Sequence, residues 1–292
     1  MSISRQNLSI VIVTFKSDEV IHECIKSIDK DIKIIIIENS NNTQFKDELE
    51  KMYNNVSCFL SYDNLGMGRG NNFGIKKTKT DFVLILNPDV ILESTTINEL
   101  IIASEKISDF AIMAPISSNI NYPNYKLESN QKFIIKNEYP FKVKSIDGFA
   151  MLFNKKKLDK IIYEDYFDEN FFMYLENDDL CKRIVDAKEY IYVAPNSKIK
   201  HLGGKAVNNK YKNEVEFARN WHWIWSKFYF NKKHYGYSIA FLKGLPKFFS
   251  SLIKYIFYLM MQNNIKQKIY LNRLSGFFNA AINKRSWYRS KF

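Results

Sequence analysis

The sequence has few of the residues that build disulfide-linked or zinc-binding proteins. It contains three cysteines and four histidines in 292 residues. Cys24, Cys58 and Cys181 lie far apart and are odd in number, so neither a disulfide framework nor a metal-binding spacing of cysteines is visible. This scarcity favours a reducing compartment, and we predict a cytoplasmic location.

Long apolar runs are also missing. No stretch of about 18 uninterrupted apolar residues occurs, which argues against a membrane-spanning helix. The N-terminus has no basic segment followed by an apolar stretch, so we expect no signal peptide. Hydrophobic residues nevertheless make up 46% of the chain, which is enough for a packed core and excludes global disorder.

Acidic residues are scarce in the last part of the chain. Residues 205–292 contain 17 Lys and Arg but only 2 Asp and Glu, a net charge of +15, whereas residues 1–204 carry a net charge of −3. We therefore predict a body at 1–204 and a basic, aromatic-rich helical tail at 205–292. A tail of this charge favours a polyanion or an anionic membrane surface as its partner.

The first half of the body alternates between two hydrophobic periods. Short apolar runs at 8–15, 32–37, 58–62 and 82–86 are typical of buried strands, and the segments between them have helical periodicity. The alternation predicts an α/β fold, with a mostly parallel, Rossmann-like sheet flanked by helices and a C-terminal helical appendage. Ligands of such sheets bind at the carboxyl ends of the strands.

Local signals give further predictions about single elements. Ser17 is a candidate cap for the first helix. Residues 115–145 predict an irregular excursion over the site, and 190–193 predict a short strand. Pro246 fits the first turn of a helix in the tail. On that helix a polar stripe beside a wide apolar face is formed by Lys247, Ser250, Ser251, Lys254 and Tyr258.

One candidate metal ligand follows the fourth apolar run, in Asn87-Pro88-Asp89. A hard divalent cation prefers oxygen ligands and bridges diphosphate oxygens, so Asp89 is a candidate anchor. The alternative is a simple strand-ending turn, because all three residue types favour turns. His201, which precedes Leu-Gly-Gly, is either a second metal ligand or a surface histidine.

Three carboxylates crowd the predicted start of a helix after an aromatic segment: Glu176, Asp178 and Asp179. Displacement at the anomeric carbon of a sugar needs a carboxylate that accepts the proton of the attacking hydroxyl. The transition state of such a reaction resembles an oxocarbenium ion. The alternative interpretation is that these acids stabilise the N-terminus of the helix.

A glycine-rich run at 64–74 contains Gly-x-Gly-x-Gly. A dinucleotide-binding fingerprint would follow the first strand, whereas this run follows the third, so hydride transfer is disfavoured. A nucleotide phosphate or sugar over the N-terminus of the following helix is one interpretation. A glycine-rich turn that enters a helix is the other.

The order and spacing of these motifs resemble glycosyltransferase family 2, the inverting nucleotide-diphospho-sugar transferases with a GT-A fold. Within it they are most similar to bacterial rhamnosyltransferase-like members that build surface polysaccharides such as lipopolysaccharide. The resemblance covers about residues 8–230. The matching segments are IVIVTFKS (10–17), IIIIENSNN (34–42), NLGMGRGNNFGI (64–75), LILNPDV (84–90), DGFAMLF (147–153), FDENFFMYLENDDLCKR (167–183) and VAPNSKIKHLGG (193–204).

The resemblance implies a set of site residues. It puts the second acid of the Asp-x-Asp metal motif at Asp89, the first at Asn87 and the family histidine at His201. Asp89 and His201 would thus hold Mg²⁺ or Mn²⁺. The acceptor motif Glu-Asp-x-x-Leu has an amide, Asn177, in its second position, so the candidate bases are Glu176, then Asp179, then Asp178. The predicted donor-binding residues are Thr14, Phe15, Glu38, Asn39, Asn64, Gly66, Asn71, Asn72, Asn87, Asp89 and Gly148.

The implied function is inverting sugar transfer, with a nucleotide-sugar half at about 1–114 and an acceptor half at about 115–204. The resemblance favours dTDP-rhamnose as the donor, with UDP-hexoses or a galactofuranose as alternatives. The implied acceptor is a glycan or polyprenyl-linked glycan, with the chain held peripherally on the inner face of the cytoplasmic membrane.

Other interpretations stay open. Asn87 and Asn177 would also fit a catalytically inactive sugar-nucleotide-binding relative. The tail would alternatively pack on the body or on a dimer partner. A basic nucleic-acid-binding protein is a further alternative, but no known nucleic-acid module is visible and we predict no such partner.

Overall fold

The computed structural model describes residues 3–119, 121, 123–127 and 138–289, which form eleven strands and nine α-helices. The strands are β1 (Leu8–Thr14), β2 (Lys33–Glu38), β3 (Val56–Leu60), β4 (Phe82–Leu86), β5 (Val90–Leu92), β6 (Ile112–Ser117), β7 (Tyr125–Lys126), β8 (Phe141–Val143), β9 (Ser145–Ile146), β10 (Ala150–Asn154) and β11 (Ile191–His201). The helices are α1 (Ile21–Lys26), α2 (Thr43–Met52), α3 (Gly66–Lys76), α4 (Thr96–Lys106), α5 (Lys155–Leu158), α6 (Glu176–Asp186), α7 (Lys212–Tyr235), α8 (Tyr237–Met260) and α9 (Asn264–Ala281).

The chain divides into two compact units. The first unit is formed by Met1–Asp168 and Asn177–Asn208, and the second by Glu169–Glu176 and Asn209–Phe292. The second unit therefore combines α7, α8 and α9 with a short stretch from the middle of the chain. We call this stretch, Glu169–Glu176, the aromatic segment, because Phe171, Phe172 and Tyr174 lie in it.

A sheet of nine strands forms the centre of the first unit. Its order is β3-β2-β1-β4-β10-β6-β11-β5, and β8 also pairs with β11. The strands from β3 to β4 are parallel, whereas β10 runs antiparallel to both of its neighbours. The α/β class, with helices around the sheet and further helices at the C-terminus, is confirmed. Parallel pairing applies to β3, β2, β1 and β4, and again between β6 and β11.

Both faces of this sheet are buried, which explains its continuous apolar strands. Successive side chains of a strand point to opposite faces. In β1, Ile10 and Ile12 enter one core cluster with α1, α2 and α4 residues, while Val11 and Val13 enter the other with α3 and α6 residues. A strand buried on both faces cannot alternate apolar with polar residues, as the sequence pattern indicated.

Two local predictions in the first unit were wrong. Ser17 does not cap α1, which begins at Ile21 after Val20; its Oγ instead donates to the Ala206 carbonyl at 2.6 Å. The strand predicted at 190–193 continues to His201, because β11 pairs with β6 on both sides of an irregularity between Ala194 and Lys198 and pairs with β5 at its end. Of the predicted excursion at 115–145, residues 120, 122 and 128–137 lie outside the described residues, and the described remainder includes the end of β6 and the short β7, β8 and β9.

The second unit has its own core, built from α7, α8 and α9. Trp221, Trp225 and Phe228 of α7 pack with Phe277 of α9. The helices approach closely at glycines: a Cβ on Gly276 would lie 2.5 Å from the Trp221 carbonyl oxygen. Within the described part of the chain, no helix is long and apolar enough to cross a bilayer.

Two predictions about α8 were also wrong. Pro246 lies inside the helix rather than in its first turn, because the helix begins at Tyr237. The predicted polar stripe is divided, because Ser251 is 3% exposed and faces the core, where a small side chain suits close helix packing. The lysines of the stripe, Lys247 and Lys254, are exposed.

Candidate active site

The carboxyl ends of β1, β2 and β4 bring the predicted donor residues to one edge of the sheet. Thr14 ends β1 directly opposite Glu38, which ends β2, and both side chains are fully buried. Asn39 follows at once and donates its backbone N–H to the Thr14 carbonyl at 2.9 Å. Parallel register therefore forces these residues together, as expected for a ligand site at this edge.

Glu38 is engaged by its own loop. One carboxylate oxygen accepts the Ser40 backbone N–H at 3.0 Å as well as the Ser40 hydroxyl, and the other accepts the Asn42 N–H at 2.7 Å. Asn42 in turn caps α2 by accepting the Phe45 N–H at 3.0 Å. The carboxylate thus fixes the loop after β2. A donor contact by Glu38 stays a prediction.

Asn39 joins this edge to the glycine-rich run. Its Nδ2 donates to the Gly66 carbonyl at 3.1 Å, and its buried Oδ1 has no hydrogen-bond partner among the residues that the structure describes. Gly66 adopts φ +75° at the start of α3, a backbone conformation that favours glycine, and its N–H is accepted by the Asn64 side chain at 3.1 Å. An amide oxygen left without a donor inside this edge is free to accept a ligand group.

The two asparagines of α3 differ in what their amides contact. Asn72 pairs with the Phe167 backbone, donating to its carbonyl at 2.8 Å and accepting its N–H at 3.0 Å. Asn71 is equally buried, but its Oδ1 has no hydrogen-bond partner in the described part of the chain. Asn72 therefore has a clear structural role, and donor binding by either residue stays a prediction.

Asp89 and His201 lie side by side because β5 pairs with β11. His201 is directly opposite Val90, the neighbour of Asp89. His201 Nε2 lies 3.4 Å from Asp89 Oδ1, and the carboxylate is only 2% exposed. The His201 ring stacks on Phe149 with centroids 4.1 Å apart, which fixes its orientation. Two residues separated by more than a hundred positions are thus held as a pair.

The polar atoms around this pair fit a divalent cation. Asp89 Oδ2 accepts the Lys205 N–H at 3.3 Å, while the buried Oδ1 has no hydrogen-bond partner among the described residues. Asn87 Oδ1 is also buried and has no hydrogen-bond partner among the described residues. No group of three or more His, Cys, Asp or Glu side chains placed to hold a metal occurs in the described ranges. Asp89 and His201 could therefore supply only part of a coordination shell.

The turn after His201 returns the chain to the loop after β1. Gly203 and Gly204 both have positive φ, +64° and +70°, which side chains disfavour. Beyond them, Asn208 donates its N–H to the Lys16 carbonyl at 3.0 Å. Phe15, a predicted donor residue, donates its N–H to Ser17 Oγ at 3.1 Å. The loop after β1 is therefore held next to the segment that follows His201.

The acids at the start of α6 have different partners. Asp179 is fully buried and paired with Arg183, whose Nε lies at 2.9 Å. Asp178 is 20% exposed in its side chain and pairs with Lys126 Nζ at 2.7 Å. Asn177 donates to the Ile146 carbonyl at 2.8 Å, beside Gly148. Glu176 is half-buried and belongs to the second unit.

Asp147 is a further candidate that the sequence analysis did not single out. Burial raises the pKa of the Asp147 carboxyl above its usual range; Lys126 opposes this shift, Asp178 adds to it and His201 lowers the pKa slightly. Asp147 therefore lies within electrostatic reach of both His201 and Asp178. The sequence could have indicated Asp147, because it directly precedes Gly148 in one of the segments that resemble the family, DGFAMLF (147–153).

Comparisons with known proteins identify the family to which this chain belongs. The model of "Glycosyl transferase family 2" matches residues 9–162, and the chain belongs to this family. The chain is 25% identical over 193 residues to "Low-salt glycan biosynthesis hexosyltransferase Agl10" of Haloferax volcanii. That match covers 61% of this chain and 61% of the relative, so the chain spans less than two thirds of the relative's length.

Solved structures give the same fold at low sequence identity. A crystal structure of GalNAc-T7 with UDP, GalNAc and Mn²⁺ superposes with a TM-score of 0.55 at 15% identity, over 74% of this chain and 50% of the other. A crystal structure of S. aureus TarS residues 1–349 covers 97% of this chain and 93% of the other at 12% identity, with a TM-score of 0.49. The fold is the GT-A fold with C-terminal helices.

Proposed function

We propose that this chain is a metal-dependent, inverting hexosyltransferase that uses a nucleotide-diphospho-sugar donor. The proposal rests on the Asp89–His201 pair at the carboxyl edge of the parallel strands. In this pair the buried Asp89 Oδ1 has no hydrogen-bond partner among the described residues. Family membership and the similarity to a hexosyltransferase support the same class of reaction.

A divalent cation, Mg²⁺ or Mn²⁺, fits the donor set of this pair. A carboxylate oxygen, an imidazole nitrogen and the amide oxygen of Asn87 are ligands that such ions accept, and diphosphate oxygens complete such shells. When bound, the cation would neutralise charge that develops on the leaving nucleoside diphosphate. The chain itself contributes a rigid pair, with His201 oriented by Phe149 and Asp89 by the Lys205 N–H.

Glu176 is our proposed general base. The acceptor oxygen attacks the anomeric carbon from the face opposite the diphosphate, the bond from that carbon to the diphosphate oxygen breaks, and the hydroxyl proton passes to Glu176. No covalent enzyme intermediate forms, so the configuration inverts. The motif resemblance described above supports Glu176 as the first choice among the three acids.

For the donor sugar we propose L-rhamnose from dTDP-rhamnose, and for the pathway cell-surface polysaccharide synthesis on a glycan or polyprenyl-linked glycan. The support is the motif resemblance described above. The test is release of nucleoside diphosphate from a panel of dTDP-, UDP- and GDP-sugars, with Mg²⁺, Mn²⁺ or EDTA. We expect metal-dependent release from one donor, and about a 1,000-fold lower kcat/KM, or about 4 kcal/mol, in Asp89→Ala.

A matched control variant distinguishes the effect of removing Asp89 from the effect of removing a surface carboxylate. Asp186, which is 56% exposed in its side chain, pairs with Lys182 at the end of α6, so Asp186→Ala should retain activity. No release from any donor, even with a lipid-linked acceptor extract, would favour the inactive sugar-nucleotide-binding relative. Salt-sensitive retention on DNA would favour the nucleic-acid alternative.

We further propose that the chain lies in the cytoplasm, on an anionic membrane surface that its α8 contacts. Five apolar side chains at helical spacing form one exposed face of α8: Leu242, Phe249, Ile253, Ile256 and Met260, from 48% to 78% exposed. Exposed lysines flank this face at Lys243, Lys247 and Lys254. An apolar face with a basic edge is typical of helices that lie in the interface of an anionic bilayer.

Vesicle flotation tests this surface. We expect binding to vesicles that contain phosphatidylglycerol, weaker binding to phosphatidylcholine alone, and loss of binding in Ile253→Asp. Met52→Asp is the matched control, because Met52 is 60% exposed in the first unit. Equal flotation of both variants would overturn the proposal, and a dimer that Ile253→Asp dissociates would replace the bilayer with a second copy.

A further inference from the structure

The aromatic segment is held by one face of α7. The α7 residues that contact it are spaced three, one, three and three positions apart, which places them on one side of a helix. We call this side the α7 contact face, and it consists of Arg219, His222, Trp223, Ser226 and Tyr229. All these contacts lie within the second unit.

The first part of the aromatic segment is anchored by ring packing. Phe171 is fully buried and meets Tyr229 edge-on, with ring centroids 4.9 Å apart. Phe172 lies against His222, with centroids 4.6 Å apart, and the Arg289 guanidinium stands 3.6 Å from its ring centroid. Rings placed in this way add stabilisation beyond their buried area.

The second part is anchored by two hydrogen bonds. Ser226 Oγ donates to the Met173 carbonyl at 2.8 Å, and Arg219 Nε donates to the Tyr174 hydroxyl at 2.9 Å. The Tyr174 ring also meets Trp223 edge-on at 5.3 Å. Backbone and side chain are therefore both fixed over two successive residues.

The backbone between these anchors and α6 has an unusual conformation. Tyr174 has φ +71° and Leu175 φ +68°, and neither residue is glycine. The left-handed region is unfavourable for residues with a Cβ, and strained residues persist only where the surroundings determine them. Glu176, the next residue, begins α6. The backbone that leads directly to Glu176 thus depends on this left-handed turn.

We propose that Arg219 and Ser226 are positioning residues that hold the Tyr174-Leu175 turn and thereby orient Glu176 for proton transfer. This inference rests on the proposed function, because it takes Glu176 as the base. The C-terminal helices then serve the reaction itself, in addition to any surface that they provide for a partner. Neither side chain touches substrate in this proposal; both act through the turn.

The test compares Arg219→Gln with Arg273→Gln. Both arginines belong to the second unit and donate through Nε to a neighbour, but Arg273 bonds the Asn220 amide oxygen at 2.6 Å, away from the aromatic segment. We expect Arg219→Gln to lower kcat by about 10- to 100-fold, with donor KM unchanged, because small misplacement of a reacting group has effects of this size. Arg273→Gln should leave kcat unchanged.

Two further measurements keep the inference falsifiable. Tyr174→Phe removes the acceptor of the Arg219 bond, so the double variant should lose no more activity than either single variant. Amide exchange at 173–177 should be faster in Arg219→Gln than in Arg273→Gln. Equal kcat and equal exchange in the two arginine variants would overturn the inference while the transferase proposal stands. A wild-type chain without turnover would overturn the transferase proposal, and exchange alone would then decide whether Arg219 holds the turn.

Discussion

The helices α7 and α8 have the same length, 24 residues, and both are rich in aromatic side chains, yet they are buried very differently. In α7 nine residues are buried, among them Trp221, His222 and Trp225. In α8, all of whose residues the structure describes, only Ala240 and Ser251 are buried. Composition alone therefore does not separate a helix that organises a core from one that presents a surface.

The two helices differ in the residues that surround them. α7 has the core of the second unit on one side and the aromatic segment on another, so its large side chains are enclosed. α8 contacts the core through small residues, Gly244 and Ser251, and through one aromatic edge that includes Phe248, while other large apolar residues such as Ile253 are exposed. This exposed apolar face is the basis of the membrane contact that we propose for α8.

The largest expected effect is the loss of a core side chain from α7. Trp221 is fully buried, donates from Nε1 to Ser275 Oγ at 3.1 Å and stacks on Tyr288 with centroids 5.9 Å apart. Trp221→Ala should lower the free energy of unfolding by about 3–5 kcal/mol, measured by urea denaturation. The control on α8 is Met260→Ala, which should change it by less than about 0.5 kcal/mol. Similar losses in both variants would abolish the contrast.

The burial of His222 in α7 predicts a pH-dependent stability that α8, whose side chains include no histidine, does not share. The Tyr288 carbonyl can only accept, so His222 Nε2 carries the proton in that 2.8 Å bond, and Nδ1 accepts from Ser286 Oγ at 3.0 Å. Burial of this neutral ring lowers the pKa of His222 from 6.5 to about 3. Between about pH 3 and pH 6.5, the unfolded chain therefore binds a proton on His222 that the folded chain does not bind.

The sign follows from that difference. His222 contributes its full stability above pH 6.5, and the contribution falls as the pH drops towards 3, by about 1.4 kcal/mol per pH unit. Urea denaturation of the wild type and of His222→Gln at pH 7, 6 and 5 measures this contribution. All other groups titrate alike in the two chains, so the difference between their free energies of unfolding reports His222. If the free energies of unfolding of the two chains differed by the same amount at all three pH values, His222 would not be buried as a neutral ring.

The smallest expected effect is on the stability of α8. Ile253 is 68% exposed, so Ile253→Asp should change the free energy of unfolding by less than about 0.5 kcal/mol even though it should abolish vesicle binding. Urea denaturation without lipid measures this. A large destabilisation would mean that Ile253 packs within the chain, and α8 would then resemble α7.

Much of the fold could be predicted because the signals were local. The apolar run at 82–86 has the bounds of β4, and the polar residues after β2 and β4 lie at strand ends as expected. Pro246 was misplaced because its flanking apolar residues sustain a helix across a missing backbone donor. Ser251 was misjudged because periodicity gives the faces of a helix but not which one meets the core.

The candidate site could be predicted only in part. The family resemblance put Asp89 and His201 together as ligands of one metal. The local sequence pattern holds no strong signal for the pairing of the three-residue β5 with the end of β11, which brings them close. Likewise, the grouping of the aromatic segment with α7 depends on rings that meet in space, such as Phe171 and Tyr229. Tertiary contacts of this kind have no local period.

The three thiols have a practical consequence for probing the molecule. Cys24, Cys58 and Cys181 are each at most 2% exposed, and burial raises the pKa of all three, to about 12 for Cys58 and Cys181. Thiolate is the reactive form, so the native cysteines should resist alkylating reagents. A single cysteine introduced on the outer face of α8 could then carry a fluorophore or spin label without removal of any natural thiol.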